Sequence, residues 1–460
     1  MRAAHPRPVT VPPAVPLTGV WRVLTTGLLT AVVAGLLTLV STGLAAPASA
    51  GDGRSAEDFT GYAFDTRCAP TQEQMDLWRT TSPFWGVGVY IGGSMASCQP
   101  TDQPHLDAAW VTRQTHRGWR VLPLWVGPQA SCYGTGPGLD LVDPTPTDSY
   151  AAARAQGAAE AVVAVRTARG LGIEKRRTLW YDLEGFDVAD TDCRRSALAF
   201  LSGWTREIRH RGYVSGVYSS VSAGIHALDN ADRLSPGSYE MPDRIWYAWD
   251  NGRDDTAVKQ RWVRKESWAD GARIHQYALD VTAAYGGLAL TIDRNVLDLG
   301  RGSVAPRARP SCGVRVSFPD YRNLRTGASG AQVDSLQCLL RQAGDYPGPL
   351  DGRLDRDVQR AVRAFQQGSA VRPTGRVDAR TWTSLLSRGT TPVLKHGSAE
   401  DAVRRVQRAL NAATRADLEV DGVVDDATTR WVRAYQRAVG LPVTGVVADD
   451  TWAMLHYGAR

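Results

Sequence analysis

The sequence predicts an α/β protein: a (β/α)8 TIM-like barrel over residues 51–300, followed by two small all-α three-helix domains. Three observations carry that reading. Eight short β-rich runs alternate with helical stretches between residues 56 and 300. A set of landmarks recurs at a constant 70-residue offset in the C-terminal third. Between the two regions, residues 301–311 (RGSVAPRARPS) are basic, Pro-containing and aperiodic, as a linker would be.

The chain opens on what reads as an export signal, residues 1–50. A basic, Pro-rich start ends at Arg22, Val23 to Ala45 carries no charge, and Ala48-Ser49-Ala50 is a small-residue cleavage site. Cleavage after Ala50 is expected, giving a secreted, wall-associated protein with no membrane contact. Retention as an N-terminal anchor is the alternative, because 23 uncharged residues can span a bilayer. No twin-arginine pair precedes the run, so general secretion is the expected route. Lys and Arg exceed Asp and Glu by six, and three of those positives (Arg2, Arg7, Arg22) lie in the signal. The remainder is nearly balanced and has no basic block, which argues against a nucleic-acid partner. With 43% hydrophobic and 22% charged residues, the chain is neither disordered nor collagen-like.

The candidate strands of the barrel are Tyr62–Asp65, Gly86–Ile91, Arg120–Val126, Thr178–Leu183, Val214–Ser219, Ile245–Trp249, Arg273–Leu279 and Leu290–Asp293. Helical stretches at Thr71–Thr81, His105–His116, Ser149–Arg169, Arg194–Arg211 and Ser222–Leu234 separate most of them. The Ala-rich segment from Ala151 to Ala168 is the plainest helix. Alternation of this kind points to a barrel that need not be regular. A doubly wound open sheet is the alternative, but no Gly-rich phosphate loop follows the first strand.

Six cysteines in an oxidising compartment read as disulfides. None forms a C-x-x-C pair or has His at ligand spacing, so neither a metal nor another cofactor is expected. The domain boundaries divide them four and two, which leaves three pairings, each containing Cys312–Cys338. Cys68–Cys98 with Cys132–Cys193 is preferred, because those pairs fall on neighbouring loops.

Barrel chemistry sits at the C-terminal ends of strands. Asp65 ends the first run, Asp182 and Glu184 the fourth, Asp250 the sixth and Asp293 the last. Asp182 and Glu184, two apart on a strand, leave the same face. Like charges held together raise one pKa and so furnish an acid and a base near neutral pH, which is the pairing glycoside hydrolysis needs. Asp250 precedes an Asn-Gly turn and reads as surface. A peptidase or amidase reading is weak, because the eight histidines are scattered and no G-x-S-x-G is present. Fifteen Trp and fifteen Tyr against seven Phe suit sugar rings as well as they suit core packing.

In the C-terminal third, Gln337/Gln407, Asp351-Gly352/Asp421-Gly422, Phe365-Gln366/Tyr435-Gln436, Thr374-Gly375/Thr444-Gly445 and Thr381-Trp382/Thr451-Trp452 all match at an offset of 70. One structural unit has been duplicated. Val333, Leu336 and Leu340, and Val403, Val406 and Leu410, form a helical apolar stripe in each copy. Phe365, Tyr435, Trp382 and Trp452 are expected in the core. Domain limits of 312–388 and 391–460 follow.

The motifs G-x-x-x-x-x-V-x-x-x-Q-x-x-L, D-G, A-V-x-x-F-Q and T-G-x-V-x-x-x-T-W, beginning at Gly327, resemble the three-helix peptidoglycan-binding domain, and the copy beginning at Gly397 follows the same order. That resemblance implies a wall-glycan or stem-peptide groove, peptidoglycan as the partner, and avidity if both copies engage. A monomer suffices for this. The segments F-D-T-R-C-A-P at 64–70, W-Y-D-L-E-G at 180–185, H-Q-Y at 275–277 and I-D-R-N at 292–295 resemble a secreted actinobacterial glycoside-hydrolase-like barrel family, similar in turn to the family-25 lysozymes. The resemblance implies a cleft lined by Asp65, Asp182, Glu184 and Asp293. Glu184 would be the general acid and Asp182 would orient the 2-acetamido group or act as second carboxylate. Gln276 and Tyr218 would supply hydrogen bonds, and Trp249 a stacking face. Arg294, beside the last Asp, could pair with it and blunt its role. A wall-binding barrel without turnover is the alternative function.

Overall fold

The computed structural model describes residues 57–98, 103–308 and 312–460; the export signal expected at 1–50 lies outside the described residues. Eight strands close into a barrel in chain order. They are β1 (Phe59–Thr66), β2 (Gly86–Gly92), β3 (Arg120–Trp125), β4 (Thr178–Asp182), β5 (Val214–Ser220), β6 (Arg244–Ala248), β7 (Ala272–Tyr285) and β8 (Leu288–Leu299). Helices α1 (Gln72–Thr81), α2 (Ala108–His116), α3 (Ala151–Gly170), α4 (Thr191–His210) and α5 (Gly224–Leu234) lie between the first six strands. The entry to α1 is a capping box. The Thr71 hydroxyl accepts from the Gln74 N–H at 3.2 Å, and the Gln74 side chain accepts from the Thr71 N–H at 2.8 Å.

The barrel departs from a regular (β/α)8 pattern at its end. Strands β1 to β7 are parallel neighbours, but β8 runs antiparallel to both β7 and β1. Gly286 and Gly287, both at positive φ, connect the directly paired Tyr285 and Leu288. A two-residue turn of this kind makes a hairpin, whereas a parallel connection needs a long crossover. The last two strands are therefore much longer than the runs expected from sequence. The tip of their hairpin folds onto α1, where the Trp78 indole donates to the Leu288 carbonyl at 3.1 Å and meets Tyr285 edge-on.

Period-two alternation sends one side-chain set inward and the other out to the helices. Leu122, Leu124, Trp180, Trp246, Ile274 and Leu297 fill the interior. The two indoles meet edge-on with centroids 5.5 Å apart. Only glycine fits beside them, since a Cβ at Gly216 would lie 2.4 Å from the Trp180 ring. The outward set, including Phe64, Tyr181, Val217 and Tyr247, packs with Trp78, Phe200 and Trp204 of the helices.

The duplicated region folds as α6 (Ala331–Gln342), α7 (Arg356–Gly368) and α8 (Ala379–Ser387), then α9 (Asp401–Thr414), α10 (Asp426–Ala438) and α11 (Asp449–His456). The shared glutamines are internal clamps. Gln337 donates to the Asp351 carboxylate at 2.7 Å and accepts from the Gly352 N–H at 3.0 Å, and Gln407 repeats both bonds with Asp421 and Gly422. Gln366 and Gln436 likewise accept from the N–H groups of Gly375 and Gly445. Trp382, Trp452, Phe365 and Tyr435 are buried in one core shared by both copies. Asparagine-free caps at Asp355, Asp378 and Asp425 start α7, α8 and α10, each accepting from a backbone N–H of the first turn.

The second copy also seals the barrel pole where the parallel strands begin. Lys395 is 1% exposed. Its ammonium donates to the carbonyls of Arg79 at 2.8 Å and Ser82 at 3.2 Å, and sits over the rings of Trp85 and Trp119. Ser398 accepts from the Trp85 indole at 3.3 Å, and Val393 packs on the interior cluster. Disulfides join Cys68 to Cys98, Cys132 to Cys193 and Cys312 to Cys338.

Candidate active site

The opposite pole is polar. Alternation along β1, β4, β5 and β7 brings Asp65, Asp182, Tyr218 and Gln276 to its inner face. β8 delivers Asp293 and Asn295 to the same pole although it runs the other way, so Asp293 arrives from mid-strand and pairs in register with Asp65. Glu184 follows the last residue of β4 on the same side as Asp182, while the intervening Leu183 packs outward.

A hydrogen-bond chain joins these groups. The Tyr218 hydroxyl donates to the Gln276 carbonyl oxygen at 2.8 Å. The Gln276 amide donates to Asp65 at 3.2 Å and to Asp293 at 3.1 Å. Asn295 donates to Asp65 at 2.7 Å and accepts from the Trp246 indole at 2.8 Å. A bulge in β7 turns the Asp280 N–H onto Asp293 at 2.7 Å. Gln129 braces the D-x-E segment: it donates to the Asp182 carbonyl at 2.9 Å and accepts from the Glu184 N–H at 2.8 Å.

Asp65 is 3% exposed and Asp182 2% exposed, and the Asp182 Oδ1 atom has no partner. Burial, reinforced by Asp293, pushes the Asp65 carboxyl up to about 7 against the pull of Asn295 and Gln276. Burial first, then Glu184 and Asp65, holds Asp182 well above the carboxylate range, with the Tyr90 hydroxyl pulling the other way. Burial and then Asp293 raise Glu184; burial raises Asp293, opposed by the Asp280 N–H. Carboxyls that are buried and repel one another hold their protons more tightly than free ones, which is the condition for an acid and a base to stand side by side.

Of the residues singled out from sequence, the structure brings together Asp65, Asp182, Glu184, Asp293, Tyr218 and Gln276. Trp249 lies elsewhere. It packs edge-on against Trp262 in the outer cluster, and the Lys259 ammonium sits 4.8 Å from the centre of its ring. Arg294 alternates to the face opposite Asp293, where its charge offsets the burial that raises the Tyr277 phenol. Asp250 is exposed and adds to the field at Asp293. Sequence reasoning missed Tyr90, whose phenol is held up by burial and by all four carboxylates. It also missed Asn295, Gln129 and Tyr133. Tyr133 is 40% exposed, follows the disulfide-bonded Cys132, and has its phenol raised by burial and then by Glu184 and Asp182. Among the described residues, no three His, Cys, Asp or Glu side chains are grouped to hold a metal ion, and no helix is long and apolar enough to cross a membrane.

Comparison with known proteins gives two domain matches. Residues 76–297 match the family described as Rv2525c-like, glycoside hydrolase-like domain, and residues 329–385 and 399–455 each match the putative peptidoglycan binding domain. A Kitasatospora aureofaciens protein described as an uncharacterized protein in the bpoA1 3′ region is 41% identical over 69 residues, 14% of this chain. The chain thus covers 58% of that relative's own length. The Mycobacterium tuberculosis Tat-secreted protein Rv2525c, solved with HEPES, is similar over 52% of this chain and 96% of its own, at 13% identity and a TM-score of 0.33. A family 25 glycosyl hydrolase from Bacillus anthracis is similar over 53% of this chain and 94% of its own, at 13% identity and a TM-score of 0.32.

Proposed function

We propose that this chain, an Rv2525c-like glycoside hydrolase-like barrel followed by two putative peptidoglycan binding domains, is an exported, wall-associated N-acetylmuramidase. It would cleave the β-1,4 bond that follows N-acetylmuramic acid while the helical repeats hold it to peptidoglycan. The observation that carries this reading is the cluster of four carboxyls at the polar barrel pole, each of them raised by burial. Glu184, the more accessible member of the D-x-E pair, protonates the leaving oxygen. Asp182 orients the 2-acetamido group or stabilises the developing positive charge. Asp65 and Asp293 keep the field negative and, with Gln276 and Tyr218, hold the pair in place.

Because Glu184 must carry its proton, activity falls as pH rises through its elevated pKa. The decisive assay is turbidity loss with reducing-end release from purified peptidoglycan by the full chain and its Glu184→Gln variant. Release by the parent and at least a hundredfold less by the variant supports the assignment. Equal release by both removes Glu184 from the chemistry.

A second reading rests on the near-complete burial of Asp65 and Asp182. A barrel whose carboxyls are enclosed, with Asp65 held by Gln276 and Asn295, can bind wall glycan without hydrolysing it. Co-sedimentation with walls and no sugar release from either protein is its signature.

A further inference from the structure

We infer that the cleft between the two helical repeats is a binding site for a short peptide ending in a free carboxylate. It rests on the reading of the repeats as wall-binding, and it supplies their ligand chemistry. The cleft is a cavity of about 400 Å³ between the ends of α6 and α8 and the outer face of α9, within the size range of small-ligand sites. Leu339, Leu385 and Leu386 give it an apolar floor. Its walls carry Arg388, Arg404, Arg405 and Arg408 against one carboxylate, Asp401.

That carboxylate is already engaged. Arg404 pairs with Asp401 at 2.6 Å and donates to the Pro306 carbonyl at 2.7 Å. Arg405 caps the end of α8, donating to the carbonyls of Ser387 at 3.1 Å and Arg388 at 2.7 Å. These bonds fix two positive charges at the rim. Arg408 donates only through Nε, to the Arg404 carbonyl at 3.0 Å; its two terminal nitrogens meet no acceptor among the described residues. Arg388, exposed just beyond α8, donates to the Ser369 hydroxyl. Burial, with repulsion among the arginines, lowers Arg405 and Arg408, while Glu400 and Asp401 pull Arg405 the other way and Tyr321 and Asp401 pull Arg408.

The fold does not require this charge. At the positions 70 residues earlier, the first repeat carries Asp334, Ser335 and Cys338 where the second carries Arg404, Arg405 and Arg408. The arginines appear only where the second repeat faces the first, so the site exists only in the tandem. A carboxylate matches the paired donors of a guanidinium, and methyl-sized side chains match the leucine floor. A poly(glycerol phosphate) strand offers the anion but leaves the apolar floor unused.

The test is isothermal titration of the full chain with N-acetyl-D-alanyl-D-alanine, with its C-terminal amide, and with poly(glycerol phosphate), alongside pelleting with purified walls. The acid is expected to bind, and the amide about tenfold more weakly. Arg408→Gln is expected to lose about tenfold for the acid with an unchanged melting temperature, and Arg388→Gln, at an exposed position, several-fold. Equal binding of acid and amide, no heat with the acid, or displacement of the peptide by the phosphate polymer overturns the assignment. A chain that pellets with walls yet shows no heat loses this site and keeps its wall binding. A chain that fails to pellet loses the wall reading, and the titration then decides the cleft alone.

Discussion

The two repeats share one fold and the same glutamine clamps, yet the loop before the first helix lives in different surroundings in each. In the first repeat Arg325, Thr326 and Gly327 are exposed, and a Cβ on Gly327 would meet nothing within 4 Å. In the second, Lys395 is buried under the barrel, His396 lies against Tyr62, and a Cβ on Gly397 would come 2.4 Å from the Thr60 carbonyl. Duplication has produced one copy with a free loop and one copy whose loop is part of the barrel. Two matching modules therefore need not contribute equally to wall avidity. The residues common to both report on folding, and those that differ report on context.

The largest expected effect breaks this asymmetry directly. Lys395→Glu aims a carboxylate at the Arg79 and Ser82 carbonyls and leaves it buried and unpaired, at a cost of about 3–5 kcal/mol. Calorimetry should show the melting temperature falling steeply, or the single transition splitting as barrel and repeats separate. Next are the clamps: Gln337→Ala and Gln407→Ala should each cost about 1–3 kcal/mol, and the same amount within error, because both leave buried groups unpaired.

A third prediction contrasts the two barrel poles. The carboxyls of the polar pole have folded-state pKa values above their unfolded ones. Their protonated forms are favoured in the fold, so stability is full below about pH 4 and declines as pH rises through about 7, where Asp65 ionises. Asp65→Asn should flatten that decline, by up to about 1.4 kcal/mol per pH unit, in melts run from pH 4 to 9. The smallest effect is expected from Arg325→Glu, within about 0.5 kcal/mol of the parent. A larger loss there would mean that the first repeat's loop is also engaged.

Much of the barrel was legible, because each of the eight β-rich runs is the core of a strand and the helical stretches between them, the Ala-rich Ala151–Ala168 above all, favour helix. The reversed last strand was not predicted, although Gly286-Gly287 is a hairpin signal standing in the sequence. Strand-end position found Asp65, Asp182, Glu184 and Asp293, since alternation and barrel geometry fix which face they share. Asp293 reached the right pole for a different reason, through an antiparallel strand. Tyr90 was hidden in the apolar run Val87–Ile91. Only its phase with Gly86 and Gly88 marks it as inward-facing. Trp249 illustrates the converse: its position at a strand end resembles a stacking platform, but the neighbours that claim it, Trp262 and Lys259, come from a loop without periodicity. The docking of Lys395 onto Trp85 and Trp119 joins residues some 300 positions apart and has no local signature.

The most direct test of the central claim is digestion of purified peptidoglycan in ¹⁸O-labelled water, followed by mass spectrometry of the released sugars. The hydrolytic reading predicts one labelled oxygen at the reducing end of N-acetylmuramic acid, present with the full chain and lost with Glu184→Gln. Walls that bind the protein but release no labelled muramic acid would contradict it.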